Sequence, residues 1–246
     1  MPYRRLPTTD KARLRALDAA LKMALEKEAG RRAFSEKNRY ELQNVKTSFE
    51  NHLKQYELDL KKETENTPAY KAARDKARIY VSHFIQMVYM SIEREELKPE
   101  ACNFYGLQEL EMKVPSLNTE EEVLNWGWKL MDGEQKRMQQ GGSPFYNPSI
   151  ALVKVQIENF RDAAFFQKNL KKNTLRSYGR MEEIRKSTNE FIRALWTEIE
   201  ENVAAGSPKQ KRQLAEEYGV VYVFRRNEKK VLRSEGMQVD LLFEFS

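Results

Sequence analysis

Residues 68–96 read PAYKAARDKARIYVSHFIQMVYMSIEREE, and the spacing within them decides the fold class. Tyr70, Ala73, Ala77, Tyr80, Phe84, Met87 and Ser91 recur at steps of three and four, with Val81, Ile85, Val88 and Ile92 widening the stripe. Such a stripe predicts a long amphipathic helix with one buried face. Arg74, Lys76, Arg78, Glu93, Arg94 and Glu95 lie largely off it. Thr67 supplies a capping oxygen and Pro68 needs no donor, so the pair predicts a helix start.

Upstream, Ser35 predicts the start of a second helix, along which Leu42, Val45, Phe49, His52, Tyr56 and Leu60 keep coiled-coil spacing. The two helices are expected to pack antiparallel across a tight turn at residues 65–67. Further back, residues 1–7 read as an extended basic arm. Thr8 or Thr9 then caps a helix carrying Leu14, Leu17, Leu21 and Leu25, which stops near Gly30.

Downstream, the helical period fails over residues 97–118, where Pro99, Gly106 and Pro115 interrupt the chain. One helical turn is expected near Leu107–Met112. Thr119 and Glu122 form a capping box for a helix running to about Gln140. Its Val123, Leu124, Trp126, Trp128, Leu130 and Met131 occupy most of the circumference, which predicts cover on more than one side. Asn147 and Pro148 open the next long helix, Gly179 separates it from another, and Ser207–Pro208 begins a short one ending at Gly219. Residues 220–226 and 239–245 alternate with period two, which predicts an antiparallel β-hairpin, with a further short strand near Val231.

The expected fold is therefore mainly α. It comprises four long helices in an antiparallel up-down bundle, with accessory helices and a small C-terminal β-hairpin. The organisation expected is a single domain over residues 1–246, with helix hairpins at 35–96 and 148–204, the irregular connection at 97–118 and the β-hairpin at 220–245. Val45, Lys46, Glu50 and Asn51 match Val153, Lys154, Glu158 and Asn159 at a constant offset of 108. An internal duplication and shared amphipathic composition both account for that match.

Composition narrows the function without naming it. The 246-residue chain carries a net charge of +6, and residues 1–33 hold nine basic and four acidic side chains. A single cysteine, Cys102, rules out an intramolecular disulfide and suits a reducing compartment. No stretch reaches eighteen consecutive apolar residues and the N-terminus is polar, so a cytoplasmic protein without a membrane partner is expected. His52 and His83 are the only histidines, and Phe49 and Tyr80 stand three residues before them where a bundle metal site needs glutamate. No cofactor is expected. Glycine-rich phosphate loops, nucleophile elbows and zinc-protease motifs do not occur.

Two basic clusters are candidate nucleic-acid contacts. Arg4, Arg5, Lys11, Arg13 and Arg15 form the first, and Lys168, Lys171, Lys172, Arg176 and Arg180, interleaved with Tyr178, form the second. Trp126 and Trp128 are candidates for a protein interface, through which the chain would self-associate. Cys102 and Tyr105 against Trp126 are candidates for a small-molecule pocket. The expected partner is a protein or a second copy, with nucleic acid the alternative and an enzyme or small-molecule binder a further one.

The segments Met1–Leu6, Tyr80–Ile92 and Glu217–Tyr222 resemble those of helical proteins from Bacteroides-type bacteria. The resemblance carries no catalytic motif and implies no activity.

Overall fold

The structure is a computed structural model, and it describes residues 2–28, 31–203 and 207–225. It is mainly helical. The order is β1 (Tyr3–Arg4), α1 (Asp10–Glu26), α2 (Glu36–Glu93), a 3-10 turn (Pro99–Ala101), α3 (Cys102–Tyr105), α4 (Glu120–Gln139), α5 (Ile150–Asn202), α6 (Pro208–Glu217) and β2 (Tyr222–Val223). None of these helices is long and apolar enough to cross a membrane.

The break expected at residues 65–67 is absent, and α2 continues through Pro68. Proline removes one backbone donor and crowds the preceding turn, a cost of about 3 kcal/mol in a helix interior. The neighbouring turn is held from outside. Gln167 of α5 donates to the Thr67 hydroxyl at 3.2 Å and accepts from the Asn66 amide at 2.7 Å. The Thr64 and Thr67 hydroxyls return to the Leu60 and Glu63 carbonyls at 2.7 and 2.9 Å. Likewise α5 continues through Gly179, so the four long helices expected in sequence are two.

The chain divides into two compact units, one of residues 1–57 and 176–246 and one of residues 58–175. Among the described residues the buried apolar side chains form two clusters, where one four-helix core was expected. The first unit joins α1, the first part of α2, the last part of α5 and α6. Leu17, Ala20, Leu42, Leu195, Trp196, Ile199 and Tyr218 fill its centre. Thr9 caps α1, accepting from the Ala12 amide at 3.2 Å. Gly219, at φ +86, lets the chain after α6 approach α1, because a Cβ there would stand 2.9 Å from that of Ala19.

β1 pairs antiparallel with β2, Tyr3 opposite Val223 and Arg4 opposite Tyr222. The partner of the Tyr222 strand is thus the N-terminal arm. The second arm of the expected hairpin, residues 239–245, and the strand near Val231 lie outside the described residues.

The second unit joins the last part of α2, α3, α4 and the first part of α5. Val81, Phe84, Ile85 and Val88 form the buried stripe of α2, facing Tyr105, Leu117, Val123, Leu130, Ile157 and Phe160. The helical turn of the 97–118 connection lies at residues 99–105, ahead of the expected Leu107–Met112. Gly106, at φ +70, ends α3, and Leu107 and Leu117 are buried, so this connection is packed as core.

Candidate functional site

The α4 helix begins with the expected capping box, in which the Thr119 hydroxyl accepts from the Glu122 amide at 3.2 Å and the Glu122 carboxylate from the Thr119 amide at 2.9 Å. Its buried row is Val123, Gly127, Leu130, Glu134 and Arg137, at steps of four and three. Two charged residues thus occupy the core side of a helix otherwise rich in exposed charge.

Glu134 and Arg137 form a closed network with Tyr105. The Arg137 guanidinium donates to both Glu134 oxygens at 2.8 and 2.9 Å, to the Tyr105 hydroxyl at 2.8 Å and to the Ser143 carbonyl at 2.6 Å. The Tyr105 hydroxyl donates to Glu134 at 2.5 Å, and the Phe145 amide reaches the same carboxylate at 3.3 Å. Glu134 is 0% exposed and Arg137 5%. Burial first, and then the Glu134 carboxylate, push the Tyr105 phenol far above its ordinary range. No buried side-chain nitrogen or oxygen among the described residues lacks a hydrogen-bond partner. The network pins α3 and the loop after α4 to α4, and offers no free group for chemistry.

A flank of α4 beside its buried row is partly open. Gly127 lies against Ile157 of α5, where a Cβ would stand 2.4 Å from the isoleucine Cδ1. Such close approach requires glycine at that point, and a neighbouring flank of α4 lies beside the contact. On α4 that flank carries Leu124, Trp128, Met131 and Met138, spaced like a coiled-coil seam with Gln135 between them. Leu124 and Met131 are half-buried, while Trp128 and Met138 are each 42% exposed. Leu124, Met131 and Trp126 pack against the edges of the unit's core, so of the six apolar positions that predicted cover on more than one side only Trp128 is exposed. Trp126 lies half-buried on another face with the Lys129 ammonium 4.4 Å from its ring centre.

Cys102, Tyr105 and Trp126 are the residues expected to line a pocket. Cys102 and Tyr105 are buried in the core, and burial raises the Cys102 thiol above its ordinary pKa. The 97–118 connection instead borders a shallow groove of ≈ 360 Å³ with α2, lined by Arg78, Ile79, Ser82, His83, Val114, Pro115 and Leu117. Among the described residues no three His, Cys, Asp or Glu side chains gather as metal ligands. His52 is half-buried, its Nδ1–H donating to the Ser48 carbonyl at 2.8 Å.

The first basic cluster is largely tied up inside the first unit. Arg13 is buried, bonded to Asp10 and to Asn189 at 2.9 Å each. Arg185 binds both Asp10 oxygens, at 2.9 and 2.6 Å, and these hydrogen bonds hold the Asp10 carboxyl below its ordinary range against the opposing effect of burial. Arg4 pairs with Thr197 and Glu200 at 3.1 Å each, and the Tyr222 hydroxyl donates to the same glutamate at 2.6 Å. Arg5, Lys11 and Arg15 are exposed.

In the second basic cluster all five side chains are exposed, on a continuous helix and not at a corner. Lys168, Lys171 and Lys172 belong to the second unit, and Arg176 and Arg180 to the first. Comparison of the chain with protein-family models, curated proteins and solved structures gives no match. Its own residues carry the functional reading.

Proposed function

We propose that the protein is a non-enzymatic helical interaction protein, cytoplasmic, which self-associates through the outer flank of α4. The observation that carries this reading is the exposure of Trp128, at 42%, in line with Leu124, Met131 and Met138. A row at steps of four and three is what a like helix fills with its own row. Large aromatic side chains in such positions dominate the energetics of association.

A second copy is the occupant that the charges favour. The first turn of α4 holds Glu120, Glu121 and Glu122, and its last turn holds Lys136. An antiparallel pair about a two-fold axis brings the acidic end of one helix toward the basic end of the other, and opposes their dipoles favourably. The buried charges of the unit are satisfied internally, which supports a structural role for them.

Light scattering on the wild type and on Trp128→Lys tests the reading. The wild type is expected above the 29.0 kDa of one chain, and the variant at that mass. A wild type that remains a monomer across the accessible concentration range, or a variant that associates equally, overturns it.

A further inference from the structure

Between Ala163 and Met181 the chain has five basic residues and no acidic one. Within the second unit this stretch presents Lys168, Lys171 and Lys172, all exposed, and among the described residues none has an acidic partner within ion-pair distance. Uncompensated positive charge on a helix is one observation. The second is what stands among it.

Arg161, Phe165, Lys168, Lys172 and Leu175 follow at steps of four, three, four and three, and therefore share one face of α5. Phe165 is 68% exposed and Leu175 61%. Phe165 thus has a cation one turn away on either side, Arg161 and Lys168, and Leu175 has Lys172 on one side. Arg161 shares its guanidinium with Asp162 at 3.0 and 3.1 Å, which leaves the lysines as the unpaired charges.

We infer that this face of α5, with Lys171 at its edge, binds single-stranded nucleic acid, with a base stacked on Phe165 and phosphates held by Lys168, Lys171 and Lys172. A ring between cations matches a strand in which π-faces and phosphates alternate. Duplexes hide their base faces, so they gain nothing from Phe165. Helices that lie on lipid gather their apolar side chains on a face apart from their lysines, whereas here they share one line. The site is separate from the α4 flank, and Trp128→Lys leaves it intact.

Anisotropy of a fluorescent oligothymidylate titrated with the full-length chain tests the inference. Binding is expected at low salt, with the association constant falling on the order of 100-fold for a tenfold rise in salt, since three phosphate contacts on a single strand each contribute a slope of about −0.7. Lys168→Glu/Lys171→Glu/Lys172→Glu is expected to abolish binding, and the corresponding triple glutamine variant to weaken it strongly. Phe165→Ala is expected to weaken it on the order of tenfold, the loss of one stacked base. Lys22→Glu/Lys37→Glu/Lys209→Glu, exposed sites in the other unit, changes the net charge equally and should retain binding.

All these positions are exposed, and circular dichroism confirms that each variant folds. No binding at low salt, equal losses in the two triple glutamate variants, or full affinity in Phe165→Ala overturns the inference. Binding to phosphatidylserine vesicles in place of the oligonucleotide overturns it as well.

Discussion

The Arg137 guanidinium donates a 2.8 Å hydrogen bond to the phenolic oxygen of Tyr105, and that hydroxyl in turn donates to Glu134 at 2.5 Å. Donor and acceptor roles thus close a ring inside the second unit, with every member buried. A buried ion pair contributes little net stability, but removing one partner strands a charge out of water.

From this it follows that Arg137→Met should destabilise the second unit by about 3–5 kcal/mol. Glu134→Leu strands the guanidinium and should cost a similar amount. Because each single change includes the penalty of the partner left behind, the cost of Glu134→Leu/Arg137→Met should fall well below their sum. Urea denaturation of the four proteins measures this coupling, and additive costs would contradict the closed-ring account.

Asp10 gives a pH dependence of definite sign. Its folded pKa lies below the unfolded one, chiefly through the hydrogen bonds from Arg185. The contribution is therefore fully present above the unfolded carboxyl pKa of about 4, and is lost as pH falls through the lower folded value. Partial exposure limits it to about 1 kcal/mol. The stability difference between wild type and Asp10→Asn, followed by thermal melts from neutral pH downward, should shrink to nothing below that window. A difference that persists in strong acid would show that the ion pair is not its source.

Two glycines inside helices should respond to alanine with opposite signs. At Gly133 a Cβ would stand 2.5 Å from the Phe104 carbonyl oxygen, a backbone atom that cannot swing aside. Gly133→Ala should thus cost about 1–3 kcal/mol through overpacking. Nothing lies within 4 Å of a Cβ at Gly179. Gly179→Ala should stabilise by about 0.5–1 kcal/mol, the helix propensity difference. Melting temperatures that move the same way in both variants would refute the packing argument.

Much of the architecture could be read directly from side-chain spacing. Val81, Phe84, Ile85 and Val88 are all buried, and the capping box at Thr119 and the Ser207–Pro208 start both open helices where the side chains suggest. Continuity through Pro68 and Gly179 was not legible, because local punctuation rules do not weigh a tertiary partner such as Gln167. Arg4 and Arg13 read as candidate nucleic-acid contacts for the same reason. Their acceptors include Glu200 and Asn189, remote in sequence. The Tyr105 network did leave a trace, since Glu134 and Arg137 continue the row of Val123, Gly127 and Leu130. Glycine and charge interrupted the apolar stripe and disguised it.

The sequestered acceptors bear on Pro68 as well. Gln167 bonds the turn around Pro68 through Thr67 and Asn66, so two opposing effects are separable by mutation. Pro68→Ala restores a backbone donor and relieves ring crowding, a gain of up to about 3 kcal/mol in a helix interior. It also loosens the unfolded chain, which takes back about 0.4–1 kcal/mol. The net expectation is a variant stabilised by about 1–2 kcal/mol, and still more helical by circular dichroism. Gln167→Leu, in contrast, removes the side chain that bridges α5 to this turn and should cost about 1–3 kcal/mol, since the half-buried Asn66 amide then loses its partner. With Pro68→Ala in the background, Gln167→Leu should cost less, because the restored backbone donor steadies the same turn. Equal costs in both backgrounds, measured by urea denaturation, would mean that Gln167 does not offset the proline.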